Sequence, residues 1–244
     1  MASENGGFIG RMVAGAKALP VGWWLLAAAI AAGTNALDFL AASEPDAKRS
    51  AFFAVAVVLR VALIFWLAYA LLRKLAGAER PMRIGMPFLR LTLFMIATVV
   101  VLGVVGALGA LARDGDPLNP FAFVVTWLAV SIVALALIRL YAWQAALAVG
   151  DRTLGLDGAW RSLARSHGAL AIAYLPIAAI ALVHSLLTRM ALSPGASRQE
   201  LLLLAGVDGI VSAVQLVLSC SLAVEAYRAA RAGSGALREG AAVA

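Results

Sequence analysis

Six long apolar stretches alternate along this chain with short loops, and the Lys and Arg residues fall mostly on every second loop. A helix that crosses a bilayer needs roughly 20 mostly apolar residues. Windows at 20–41, 51–73, 88–112, 121–143, 169–188 and 201–227 meet that length. In lipid every backbone polar group must be satisfied internally, so runs of this length predict helices. The windows use most of the 244 residues, and no remaining loop is long enough to bury a core of its own. Hydrophobic residues make up 63% of the chain and charged residues 14%, with a mean hydropathy of +0.93, outside the globular range. The expected fold is all-α: a polytopic membrane helix bundle of six transmembrane helices with short cytoplasmic interfacial helices. Residues 1–19 form a cytoplasmic arm with an amphipathic helix, residues 20–227 the transmembrane domain, and residues 228–244 an unstructured cytoplasmic tail.

The charge distribution orients this bundle. Arg11 and Lys17 lie in the arm, Arg73, Lys74, Arg80, Arg83 and Arg90 around the second loop, Arg152, Arg161 and Arg165 in the fourth, and Arg228, Arg231 and Arg238 in the tail. The opposite side holds Lys48, Arg49, Arg113, Arg189 and Arg198. Basic residues concentrate in cytoplasmic loops, so both termini are expected in the cytoplasm of a multi-pass plasma-membrane protein. The net charge of +7 then reads as a rim facing anionic lipid headgroups, each basic residue contributing about 1 kcal/mol of attraction. Membrane lipids are thus the expected partners, with a membrane protein or a second copy as a further candidate, and no nucleic acid.

Gly33, Thr34, Asn35 and Asp38 interrupt the outer half of the first window. A basic arm followed by a short apolar run also describes a signal peptide. The run continues through Phe39 and Leu40, which favours a retained span. Cys220 is the single cysteine and lies inside the last window, which excludes an intrachain disulfide or a cysteine-rich metal centre. Two histidines give a metal site no further support, and no cofactor is expected.

Segments of mixed apolar and basic character precede windows one, three and five. In the clearest, from Asp157 to Gly168, helical spacing puts Trp160, Leu163, Ala164 and His167 on one face and Arg161 and Arg165 on another, with Asp157 placed to cap. The arm sets Ile9, Met12, Val13 and Ala16 against Arg11 and Lys17, and Pro81–Leu91 is a proline-broken version. One reading is three units, each an interfacial helix followed by a membrane hairpin; the other is that any loop beside a membrane becomes amphipathic.

The stretch from Gly155 to Gly168, GLDGAWRSLARSHG, resembles the cytoplasmic loop of a broad group of bacterial six-helix membrane proteins. That group includes the membrane domain attached to some glycerophosphodiester phosphodiesterases, and stand-alone members. Its closing motif is loosely echoed by Ala226, Tyr227, Arg228 and Arg231. The resemblance implies a stand-alone protein of the bacterial inner membrane. The phosphodiesterase domain is absent, so no enzymatic activity is implied.

Ionisable residues within the windows are costly at the bilayer centre, on the order of 2.5–3.5 kcal/mol each on insertion scales, so they should face inward and pair. At about 1.5 Å per residue, Arg60 lies about 13 Å and Asp208 about 10 Å below the outer ends of their spans. Asp38 and His184 lie nearer the same surface, which makes Asp38, Arg60, His184 and Asp208 a candidate polar cluster, with Arg60 and Asp208 matched in depth. Arg139 and Glu225 form a candidate inner ion pair, and Arg161 and Arg165 are candidate contacts for lipid headgroups or a partner. The outer cluster admits two readings: a cavity for an anionic headgroup, an ion or a proton, or an ion pair that holds helices in register. Gly103, Gly106 and Gly109 permit close helix packing, and Trp23, Trp24, Trp143 and Tyr227 suit an aromatic belt.

Walker lysine, nucleophile-elbow and His-Glu-x-x-His motifs are all missing. Ser212 or Ser185 beside His184 has no motif around it, so a catalytic role is not expected. The residues favour a structural, scaffold or lipid-associated membrane protein; the alternative is a transporter for a small molecule, ion or lipid built on the outer polar cluster.

Overall fold

The computed structural model describes residues 7–42, 51–111, 120–191 and 196–242, and among these every regular element is helical. In chain order the α-helices are α1 (Phe8–Lys17), α2 (Val21–Ala42), α3 (Ala51–Leu75), α4 (Met86–Leu111), α5 (Pro120–Ala136), α6 (Leu140–Val149), α7 (Leu156–Ser162), α8 (His167–Ala191) and α9 (Arg198–Ala242). Five of these helices are long and apolar enough to cross a membrane, and a sixth crossing is reached if the bent α5–α6 pair counts as one span. The exposed surface has the same character. Val55, Val58 and Leu59 on α3 and Leu93, Ile96, Val99, Val100 and Val104 on α4 are exposed. A soluble monomer rarely tolerates so continuous an apolar surface; in a multi-pass membrane protein it faces lipid.

The fourth window does not form one straight helix. α5 and α6 meet at 67°, where Ile138, Leu140, Tyr141 and Ala142 donate to carbonyls three residues back instead of four, the tighter 3₁₀ pattern typical of such breaks. α3 and α6 both stop on a glycine with positive φ, Gly77 at 89° and Gly150 at 79°. In each case the next residue also reaches back five, Ala78 N–H to Arg73 C=O and Asp151 N–H to Ala146 C=O, which closes the helix end and satisfies its last carbonyls.

The chain divides into two compact units. The first combines residues 1–11, 84–175 and 222–244. Within it, Phe94 meets Trp143 edge-on at 5.1 Å, and Tyr141 meets Tyr174 at 6.2 Å. Phe94, Tyr141 and Tyr174 line a mostly apolar recess of about 190 Å³ that also takes in Thr98 and Gln144. The loop after α6 is tied to α9: Tyr227 donates to Asp151 at 2.9 Å, and Arg231 donates to Thr153 at 2.6 Å and faces Asp151 at 3.6 Å. Burial works to raise the Asp151 carboxyl, but hydrogen bonds from the Thr153 hydroxyl and N–H and from Tyr227, with the Arg231 charge, hold it below the ordinary carboxylate value.

The second unit combines residues 12–83 and 176–221, and so contains α2, α3 and parts of α1, α8 and α9. Phe39, Ala191, Leu201 and Ala205 form a buried cluster that gathers the ends of α2, α8 and α9. One level deeper, a Cβ added to Gly209 would sit 2.5 Å from the Cα of Ala32, so α2 and α9 touch backbone to backbone there. In α3 the run from Leu67 to Leu72 is buried all round, and the Tyr69 hydroxyl donates to the Arg83 carbonyl at 2.9 Å.

Several expectations are corrected by this arrangement. α1 packs through Phe8, Met12 and Ala16, while Ile9 is exposed; the Ser221 hydroxyl donates to the Met12 carbonyl at 2.7 Å. Pro81–Gly85 is turn and coil, so the second of the three repeated units has no helix ahead of its span; Pro81 fixes φ and withholds a donor. α7 has only seven residues and buries Ala159, with Leu163 just beyond it, while Trp160, Ala164, Arg161 and Arg165 are exposed. Asp157 pairs with Arg161 at 2.8 Å, four residues on, and does not cap. α9 runs 45 residues through the segment expected to be an unstructured tail. Ala230 is fully buried and Gly233 lies against Ser162, which supplies packing that the tail's composition did not advertise. Gly103 has open space where a Cβ would stand, so it marks no close helix approach among the described residues, and the surroundings of Gly106 and Gly109 lie outside them. Trp143 and Tyr227 are engaged inside the first unit.

Candidate functional site

The second unit brings Asp38, Arg60, His184 and Asp208 together, with pairings that the sequence did not foretell. Asp38 and Asn35 come from α2, Arg60 from α3, His184 from α8, and Asp208 and Ser212 from α9. Asn35, Arg60, His184 and Asp208 stand seven to ten residues from the helix ends at Ala42, Ala51, Ala191 and Arg198, or roughly 10–15 Å at 1.5 Å per residue; Asp38 lies nearer its end, four residues before Ala42, and Ser212 deeper, fourteen residues beyond Arg198. Arg60 pairs with Asp38, not with Asp208. Asp208 is fully buried, and accepts from the Asn35 amide at 2.8 Å while His184 Nδ1 lies 2.6 Å from its other oxygen. Depth alone could not separate these partners, because several polar groups share one level and rotation about each helix axis decides which of them meet.

Asn35, an interruption of the first window by sequence, satisfies a buried carboxylate. Thr34 beside it is buried too and bonds back to Ile30 and Ala31. The polar groups that made this span look irregular therefore belong to its inward face. A second signal lay in α9, where Asp208, Ser212, Gln215 and Ser219 are spaced by four, three and four residues, the spacing of one helical face. Ser212, Gln215 and Ser219 of that stripe line the site.

These side chains surround a pocket of about 270 Å³. Asn35, Arg60, His184, Ser212, Gln215 and Ser219 supply its polar lining; Ala31, Val61, Ile64, Phe65 and Leu216 supply the apolar part. Asp38 and Asp208 are not among the lining groups and stand behind Arg60 and His184. Asp38 Oδ1 is buried without a hydrogen-bond partner among the described residues. Arg60 spends one nitrogen on Asp38, and its other N–H groups have no partner among the described residues; the same holds for Nε2 of His184.

The arrangement does not assemble a hydrolytic triad. Ser212 lies 3.2 Å from Nδ1 of His184, the nitrogen that Asp208 already holds. A serine nucleophile must give its proton to the other ring nitrogen. Ser185 donates to the Ala181 carbonyl at 2.8 Å instead. No group of three or more His, Cys, Asp or Glu is placed to hold a metal ion among the described residues.

The expected inner pair is not formed. Arg139 lies over the Trp160 ring at 4.9 Å and donates to the Ala164 carbonyl at 3.4 Å. Glu225 pairs instead with Arg11 at 3.3 Å and with Arg228 three residues on. The break between α5 and α6 is the reason: Arg139 sits in the turn, where its side chain meets α7. Arg161 and Arg165 stay on the surface, Arg161 paired with Asp157.

No protein family, curated protein or solved structure matches this chain.

Proposed function

We propose that the chain is an integral protein of the cell inner membrane in which the polar pocket binds a small polar solute or a lipid headgroup, as the binding chamber of a permease or lipid-handling protein. The pocket itself carries this reading. Six polar side chains from four helices converge on one space within the apolar spans, where each intramembrane polar group is costly and marks function by default. Six crossings are proposed, with the bent α5–α6 pair as the fourth and α2 retained, because α2 supplies the partner of Arg60. The positive-inside rule puts both termini in the cytoplasm and the pocket in the outer half of the bundle. The exposed Arg161 and Arg165 suit anionic headgroups on the cytoplasmic side.

A structural or scaffold role is the second reading, and one observation favours it: Asp38, Arg60 and Asp208 each have a partner inside the unit. The likeness of Gly155–Gly168 to the membrane domain of glycerophosphodiester phosphodiesterases is compatible with either role and brings no activity. Native mass spectrometry of the protein released from nanodiscs of its host membrane separates the two. A stoichiometric adduct retained by wild type and lost from Arg60→Gln supports the pocket; bare subunits or a co-purified protein would support the scaffold.

A further inference from the structure

Resting on the pocket reading, we infer that the pocket takes one small anion, presenting a carboxylate or phosphate group, together with one proton. The anion sits on the unspent N–H groups of Arg60, and the proton on Nε2 of His184.

Both ionisable side chains that line the pocket are basic. Each is backed by a carboxylate outside the lining, Asp38 behind Arg60 and Asp208 behind His184. An arginine fixed in this way keeps a preset fork of donors for a carboxylate or phosphate. Gln215 and Ser219 add an amide and a hydroxyl that have no partner among the described residues. A cation in the same space would meet the guanidinium and no carboxylate, so the lining selects against it.

The proton follows from the balance of charge. Asp208 and Ser212 on α9 touch His184 directly; Asn35 on α2 and Arg60 on α3 share the pocket with it, and Asp38 on α2 is paired to Arg60. On its own helix, α8, the nearest charged residue is Arg189, more than one turn away. Two carboxyl groups stand against one guanidinium, so with both ionised the cluster is balanced only when His184 carries a proton. An arriving anion adds negative charge in a medium where uncompensated charge is expensive. A proton taken from water offsets it, and geometry points to its place: Nδ1 is taken up by Asp208 and Ser212, which leaves Nε2 as the ring nitrogen that faces no partner among the described residues. Nε2–H then donates to the anion. The volume of about 270 Å³ falls just below the range of roughly 300–1,000 Å³ usual for drug-sized ligands, which keeps the anion small.

The test is calorimetric titration of the full chain in phosphatidylcholine nanodiscs at pH 7.5 with acetate and with inorganic phosphate, each in two buffers of different ionisation heat. The expected result is saturable binding of at least one anion with uptake of about one proton, and affinity that weakens up to tenfold per pH unit on raising the pH. His184→Gln, which keeps a donor but no titration, should bind without proton uptake and with a flat pH profile. Repeating the titration in discs containing phosphatidylglycerol identifies the source: suppressed anion binding means that the headgroup occupies the pocket, unchanged binding means a free solute, and both support the inference. Binding with no proton uptake overturns it, as does saturable binding of tetramethylammonium in place of either anion. Absence of anion binding while the host-membrane adduct persists overturns the inference and leaves the pocket reading standing; loss of both removes the pocket reading as well.

Discussion

Replacing Gly209 with Ala tests how the site is held together. The new methyl carbon would lie 2.5 Å from the Cα and Cβ of Ala32 and 2.6 Å from its nitrogen. Ordinary carbon–carbon contact is about 3.5–4.0 Å, so α2 and α9 must part by roughly 1 Å or more at this level. The neighbouring Asn35–Asp208 bond, now 2.8 Å, would then stretch to roughly 3.8–4 Å, past the range of about 2.7–3.2 Å for N–H···O. Overpacking costs about 1–3 kcal/mol, and a lost hydrogen bond to a buried carboxylate about 1.5–3 kcal/mol. A total of about 2.5–6 kcal/mol follows. Gly206, one turn earlier in the same helix, has nothing within 4 Å of its would-be Cβ, so Gly206→Ala should fall within about 1 kcal/mol of wild type, the size of the helix-propensity gain. Reversible unfolding by dodecyl sulfate in mixed micelles measures both. Equal stability of the two variants would refute the close approach of α2 and α9.

Arg60→Gln should destabilise by about 2–4 kcal/mol, somewhat less than for a fully buried pair, because 30% of the Arg60 side chain is exposed. Adding Asp38→Asn should recover much of that loss, whereas adding Asp208→Asn should not; recovery with Asp208 would restore the pairing expected from depth. A double-mutant cycle between Arg139 and Glu225 should give coupling below about 0.3 kcal/mol, while Arg11 with Glu225 should give about 0.2–1 kcal/mol; the reverse order would contradict the observed partners. The Asp151 carboxyl is held below its reference value of 3.8, so its contribution is complete above about pH 4 and is lost as the pH falls through the lower folded value. Hydrogen exchange should show residues 150–155 losing protection in that acid window, and Asp151→Asn should remove the pH dependence; a loop that loosens on raising the pH would have the wrong sign.

The membrane class and five of the helices were legible because a 20-residue apolar run has few alternatives in a bilayer. The membership of the polar cluster was also legible, since Asp38, Arg60, His184 and Asp208 each stand out in an apolar window. Their pairing was hidden, because it depends on the rotation of α2, α3, α8 and α9 about their own axes. The stripe of Asp208, Ser212, Gln215 and Ser219 is present in the sequence, but its uncharged members carry little signal one at a time. Asn35 is hidden for the same reason: without Asp208 beside it, an amide in a span is only a cost. The bend between α5 and α6 has no proline or glycine to announce it. With it went the true neighbours of Arg139, Trp160 and Ala164.

The central claim is a polar pocket that a water-soluble molecule can enter from within the apolar spans. In a Cys220→Ser background, which removes the single native thiol, Gln215→Cys should react in intact cells with a small membrane-impermeant thiol reagent, and a cysteine at Val207, exposed on the lipid-facing side of the same helix, should not. Labelling at Gln215 alone is the result the account predicts; labelling at neither position, or equally at both, would contradict it.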